Sequence, residues 1–125
     1  MIAGVAGVVE IGTYNLRPGT GAEFHRVVVE EVMPLLDRWG TRVLAFGPSL
    51  DADLYYLVRG YESIEDLQKS QEEFYGSDEW RSGPREAIVS RIENSISVVI
   101  PSGDLHTAER STVGFVPKEE RRRTT

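Results

Sequence analysis

A strand, a tight turn and a long amphipathic helix follow one another over residues 8–39, VVEIGTYNLRPGTGAEFHRVVVEEVMPLLDRW. Side chains alternate along a strand, so residues 8–17 put Val9, Ile11 and Thr13 on one face. Glu10, Gly12, Tyr14 and Leu16 take the other. Pro18-Gly19 ends the strand in a turn. Over residues 21–39, Phe24, Val28, Val32, Leu35 and Trp39 recur at helical spacing, with Val27 and Leu36 widening the apolar stripe. Gly40 is the expected stop. Pro34 has no amide hydrogen and predicts a kink near residues 30–33. Gly12 removes a side chain from the strand, which marks a bulge or the close approach of another group.

Further elements follow in order. Residues 42–46 read as a strand closed by Gly47-Pro48, and residues 54–61, LYYLVRGY, as its β-branched and aromatic partner. Ser63, with Asp66 three residues on, opens a second helix that ends at Gly76. Ile64, Leu67, Gln71 and Phe74 trace its inner face. Residues 77–80 form a separate turn. Gly83-Pro84 opens another helix, with Ala87, Ile88 and Ile92 inward. A last strand spans residues 95–100 and stops at Pro101. The order βαββαβ predicts a ferredoxin-like α+β fold with a four-stranded antiparallel sheet. Residues 1–101 make the domain. Residues 102–125 read as a polar, partly disordered tail with one apolar patch at 113–116.

Composition narrows the function classes. The 125 residues carry a formal net charge of −6, with 9 basic and 16 acidic side chains in the first 101. An acidic body argues against nucleic-acid binding. No apolar run is long enough to span a membrane. The absence of cysteine excludes disulfides and thiolate chemistry and suits a cytoplasmic location. There is no phosphate-binding loop, dinucleotide fingerprint, HExxH pair or nucleophile elbow. Neither a metal nor a cofactor is expected. A haem would have only His25 as axial ligand, because His106 lies in the tail.

Four segments, in order, resemble the NIPSNAP family: EIGTYNLRPGTGAEF, MPLLDRWG, LVRGYESIEDLQ and SDEWRS. The resemblance covers residues 8–101. It implies a ferredoxin-like domain that pairs into a dimeric α/β barrel, a superfamily that also holds cofactor-free monooxygenases and isomerases. Gly12 stands where that family often has Arg, and Arg59 where it often has Trp, so any family pocket is altered here.

The physics of the sheet also points to a homodimer. Helices on one face leave the other bare, and an apolar bare face is buried by stacking two copies. A cavity between the two sheets would hold a small, aromatic or anionic ligand. Glu10, Gly12, Tyr14, Tyr55, Arg59 and Tyr61 are spaced to share one sheet face, which the reading takes as the pocket face. Tyr14, Arg59 and His25 are the catalytic candidates. His25, at the flank of the helical stripe, is either a base at the pocket rim or a boundary histidine. Glu31 falls inside the apolar arc, where a carboxylate must pair or stay protonated; it is either structural or substrate-binding. Trp39 and Trp80 are expected as packing anchors. The function that follows is small-molecule binding, with cofactor-independent oxygenase, isomerase or cyclase chemistry as one form and a non-catalytic binding or interaction domain as the other.

Overall fold

The structure, a computed structural model, describes residues 7–103. Strands β1 (Val8–Leu16), β2 (Arg42–Pro48), β3 (Leu54–Tyr61) and β4 (Ile92–Pro101) form one antiparallel sheet in the order β2-β3-β1-β4. Helix α1 fills residues 21–38. Helices α2 (Ile64–Tyr75), α3 (Asp78–Ser82) and α4 (Arg85–Val89) follow β3. This is the βαββαβ arrangement expected from the sequence, and β4 begins three residues earlier than its alternation predicts. The apolar patch at 113–116, His106 and most of the expected tail lie outside the described residues.

Turn chemistry sets the element ends. Gly40 adopts φ +76°, the left-handed conformation that only glycine takes without strain. The Ser63 hydroxyl accepts from the Asp66 amide at 3.0 Å and the Ser77 hydroxyl from the Trp80 amide at 3.2 Å, which caps α2 and α3. Ile64, expected on the inner face of α2, is exposed, whereas Leu67 and Phe74 are buried. Ile64 is the first residue of the helix, ahead of the turn that packs inward.

Helix α1 is not uniform. Gly21–Val27 and Met33–Arg38 are α-helical, and Val28–Val32 between them form a π turn. The Met33 amide reaches back five residues to the Val28 carbonyl. Pro34 explains the location, since it cannot donate the bond that would hold Glu30 in a regular ladder. A π turn holds one more residue than an α turn, so everything after it is rotated relative to a regular helix. Phe24, Val27, Val28, Val32, Leu35 and Leu36 are therefore the buried positions. Glu31, which a uniform 3.6-residue period puts in the apolar arc, is exposed.

One face of the sheet packs on the helices. The register pairs Glu10 with Arg59, Gly12 with Leu57 and Tyr14 with Tyr55, so these residues and Leu16 share the helix-covered face. The core runs from Leu16, Phe24 and Tyr55 through Leu35 and Leu36 to Phe74, Trp80 and Ile88. The opposite face carries Ile11, Tyr56, Val58, Ile96 and Val98, with Ile96 67 % and Val98 50 % exposed. No register shift occurs at Gly12; the irregularity in β1 lies between Asn15 and Leu16.

Candidate functional site

Two neighbouring constructions occupy the helix-covered face. The first is ionic. Glu10 and Arg59, opposite one another on β1 and β3, are 8 % and 4 % exposed. Arg59 Nη2 donates to Glu10 Oε1 at 2.8 Å and Nη1 to the Tyr75 hydroxyl at 2.9 Å. Gln71 Nε2 donates to Glu10 Oε1 at 2.7 Å and to the Tyr61 hydroxyl at 3.1 Å. Arg59 Nε alone among the buried side-chain polar atoms of the described residues has no partner. Arg59, proposed from sequence as a catalytic or anion-binding group, is thus held by Glu10 and Tyr75. Taking one partner from such a buried pair leaves an uncompensated charge.

The second construction is a cavity of about 330 Å³ between the sheet and the helices. Tyr14, Phe24, Tyr55 and Leu36 are among its inner residues, and Val28, Val32 and Met33 of the π turn line one wall. Phe74, Tyr75 and Trp80 form another, with ring centroids 5.0–5.5 Å apart. Trp80 is therefore both a packing anchor and cavity wall. Trp39, at 5.9 Å from the Phe74 ring, donates its indole N–H to Glu79 outside the cavity. Ile88, Val89 and Ile92 complete the lining with Arg85. Among the described lining residues there is no carboxylate and no histidine.

This location corrects the sequence reading. The cluster Glu10, Tyr14, Tyr55, Arg59 and Tyr61 does share a face, but the helices of the same chain cover it. The cavity it borders belongs to one chain and is not a gap between two stacked sheets. Periodicity assigns residues to a common face; it does not say which face the helices choose when both are apolar.

Tyr14 stands at the border of the two constructions. An added Cβ at Gly12 would lie 3.1 Å from its hydroxyl oxygen, so Gly12 is the space that hydroxyl occupies. The hydroxyl makes no hydrogen bond to another described residue. Burial, with further contributions from Tyr75 and Glu10 against Arg59, pushes its pKa up to about 12. The phenol is neutral at physiological pH and is a hydrogen-bond donor. Tyr55 and Tyr61 are raised too, again chiefly by burial.

His25 reaches the site only indirectly. Its Nδ1 is 2.7 Å from the Tyr55 hydroxyl, behind the Tyr55 ring that lines the cavity. Glu31, exposed, is removed from the site altogether. Sequence reasoning missed Tyr75, Arg85 and the second role of Trp80. Gln71, a polar residue on the inner stripe of α2, was the one local sign of a buried polar network on that side. No group of three or more metal-binding side chains occurs among the described residues. No helix among them is long and apolar enough to cross a membrane.

No protein-family model matches the chain, and no curated protein matches it. Solved structures do. A NIPSNAP family protein from Agrobacterium tumefaciens superposes with TM-score 0.69 at 18 % identity, over 75 % of this chain and 90 % of that one. An uncharacterised NIPSNAP-like domain protein from Burkholderia xenovorans gives 0.70 at 19 %, over 77 % and 84 %. A candidate antibiotic biosynthesis monooxygenase from Caulobacter crescentus gives 0.59 at 16 %, over 77 % and 89 %. The chain has the fold of solved NIPSNAP family proteins. At these identities the likeness concerns the fold alone.

Proposed function

We propose that this chain binds a small, largely apolar, aromatic-sized molecule between its sheet and helices, with Tyr14 donating a hydrogen bond to an oxygen of the ligand. The observation that carries this reading is a neutral, unbonded phenol in a cavity lined, apart from Arg85, by hydrocarbon side chains and aromatic rings. Few, well-placed polar groups in an apolar pocket are the usual composition of a small-molecule site. Tyr55 contributes its ring, and Gly12 makes room for the Tyr14 hydroxyl. Glu10, Arg59 and Tyr61 stiffen the floor beside the ligand without touching it.

Oxygenase, isomerase or cyclase chemistry on an enolisable ligand needs a base within hydrogen-bonding reach of the proton it removes. His25, the base anticipated for that role, bonds Tyr55 and is not among the lining residues. The geometry therefore favours binding over turnover. Calorimetric titration with methyl 2-naphthoate, a neutral aromatic with a carbonyl acceptor, tests the reading. Tyr14→Phe is expected to weaken binding about three- to tenfold, the worth of one hydrogen bond. Ile88→Trp, which fills the cavity, should abolish binding while a cooperative melt is retained. Binding unmoved by Ile88→Trp would sink the reading.

The same reading includes a homodimer through the open sheet face. Leu44, Ile96 and Val98 are exposed on this face, with Ile11 and Val58 half-buried beside them, and an exposed apolar face of this kind marks an interaction surface. Four strands about 4.8 Å apart and some 26 Å long offer on the order of 500 Å² before side-chain relief and rim contacts are added, which approaches the area per partner of a stable interface. Light scattering should return twice the chain mass, and Ile96→Glu with Val98→Glu should return one chain. A monomer in the parent protein at micromolar concentration would end this part of the proposal.

A further inference from the structure

The cavity has a direction. Its deep residues, Phe24, Leu36 and Tyr55, are buried, whereas Tyr75, Arg85 and Val89 are exposed. These three mark the mouth. Arg85 also borders a shallow outer depression that it shares with Asp78, Arg81 and Ser82. It is the residue that belongs to both, and the sole charged side chain of the cavity lining among the described residues.

Its charge is available. The side-chain ion pairs of the described residues join Arg26 to Glu23 and Glu30, Arg38 to Glu79 and Arg59 to Glu10, and none uses Arg85. Arg81 has none either, so the depression holds two guanidinium groups against the single carboxylate of Asp78. The chain as a whole is acidic, with a formal net charge of −6, so an excess of positive charge at this one opening is not the background of the surface. A guanidinium at the mouth of an apolar cavity complements a molecule with a hydrocarbon body and one anionic end.

We infer that the ligand is an amphipathic monoanion of the aromatic or short aliphatic carboxylate class, bound apolar end first, with its carboxylate at the mouth on Arg85 and the oxygen that meets Tyr14 carried separately on its body. This rests on the small-molecule reading above and adds the charge and the polarity of entry. The volume suits it: about 330 Å³ holds roughly ten water-sized groups, the size of a fused bicyclic ring with a small substituent. A charge buried at the far end would have no counter-ion among the lining residues, which fixes the orientation.

The test compares 2-naphthoate with its neutral methyl ester by calorimetric titration, the ester serving as the reference within each variant. The parent protein is expected to prefer the carboxylate about fivefold in low salt, as a solvent-edge ion pair allows, and to lose that preference near 1 M salt. In Arg85→Gln the ratio of the two affinities should fall to about one. Arg81→Gln should change it by less than half as much. Equal affinity of the parent for both compounds overturns the inference while leaving the small-molecule reading intact. So does a preference that survives Arg85→Gln or that disappears only in Arg81→Gln. Failure of both compounds to bind overturns both.

Discussion

The two ends of the helix-covered sheet face solve opposite problems. At one end Glu10, Arg59, Gln71, Tyr61 and Tyr75 close a polar network that excludes ligands because its members bind one another. At the other, Tyr14, Phe24, Phe74 and Trp80 leave about 330 Å³ of apolar space. The groups with the most familiar catalytic chemistry are in the closed end. The difference teaches that a carboxylate and a guanidinium facing each other across two strands say more about how the sheet is held than about what the protein binds. Tyr75, which accepts from Arg59 and also lines the cavity, joins the two ends.

The sharpest way to break the comparison is Arg59→Ala. It strands the Glu10 carboxylate in the interior and should lower stability by about 3–5 kcal/mol in urea unfolding. Glu10→Leu with Arg59→Met should recover most of that, since an apolar pair of similar volume needs no counter-charge. A stable Arg59→Ala protein would mean that the closed end is open to water after all.

Alkaline pH comes next. The Tyr14 phenol, raised from 10.0 to about 12 chiefly by burial, keeps its proton in the folded chain after the unfolded chain has lost it. Its contribution is complete below pH 10 and disappears as the pH climbs toward 12. About 2–3 kcal/mol is at stake over that window. Urea midpoints at pH 9 and 11.5 should fall less in Tyr14→Phe than in the parent; equal falls would place the Tyr14 hydroxyl in water.

A smaller effect sharpens the border between the ends. Gly12→Ala puts a methyl group 3.1 Å from the Tyr14 oxygen and should cost about 1–2 kcal/mol by crowding. In a Tyr14→Phe background the same change should be nearly neutral, and a double-mutant cycle reads the coupling. The smallest effect is expected at Glu31. Its replacement by alanine should shift stability by less than about 0.5 kcal/mol, as for other exposed sites. A loss of several kcal/mol there would restore it to the interior.

Much of the fold was legible because turn residues and apolar periods agree: Pro18-Gly19, Gly40, Ser63 with Asp66, and Gly83-Pro84 all fall where elements start or stop. The common face of Glu10, Gly12, Tyr14, Tyr55, Arg59 and Tyr61 was legible for the same reason, since strand alternation is strict. Which side of the sheet that face occupies was not, because Ile11, Val58 and Val98 make the opposite face equally apolar. Glu31 was misplaced because a 3.6-residue count has no way to register an extra residue in the turn around it. Arg85 gave no signal at all: its position at the cavity mouth comes from α4 packing against the start of α1, which no local pattern encodes.

The π turn at Val28–Val32 has one more consequence, for chain length. It stores a surplus residue inside a helix whose two halves already keep their apolar faces aligned. A relative one residue shorter could wind the same span as a regular helix and present the same inward side chains without altering any loop. Insertions and deletions between chains of this fold are usually sought at hairpins and termini. Here a single-residue gap belongs in the middle of α1, against the cavity wall, where gaining or losing it would reshape the cavity and leave the rest of the core in register.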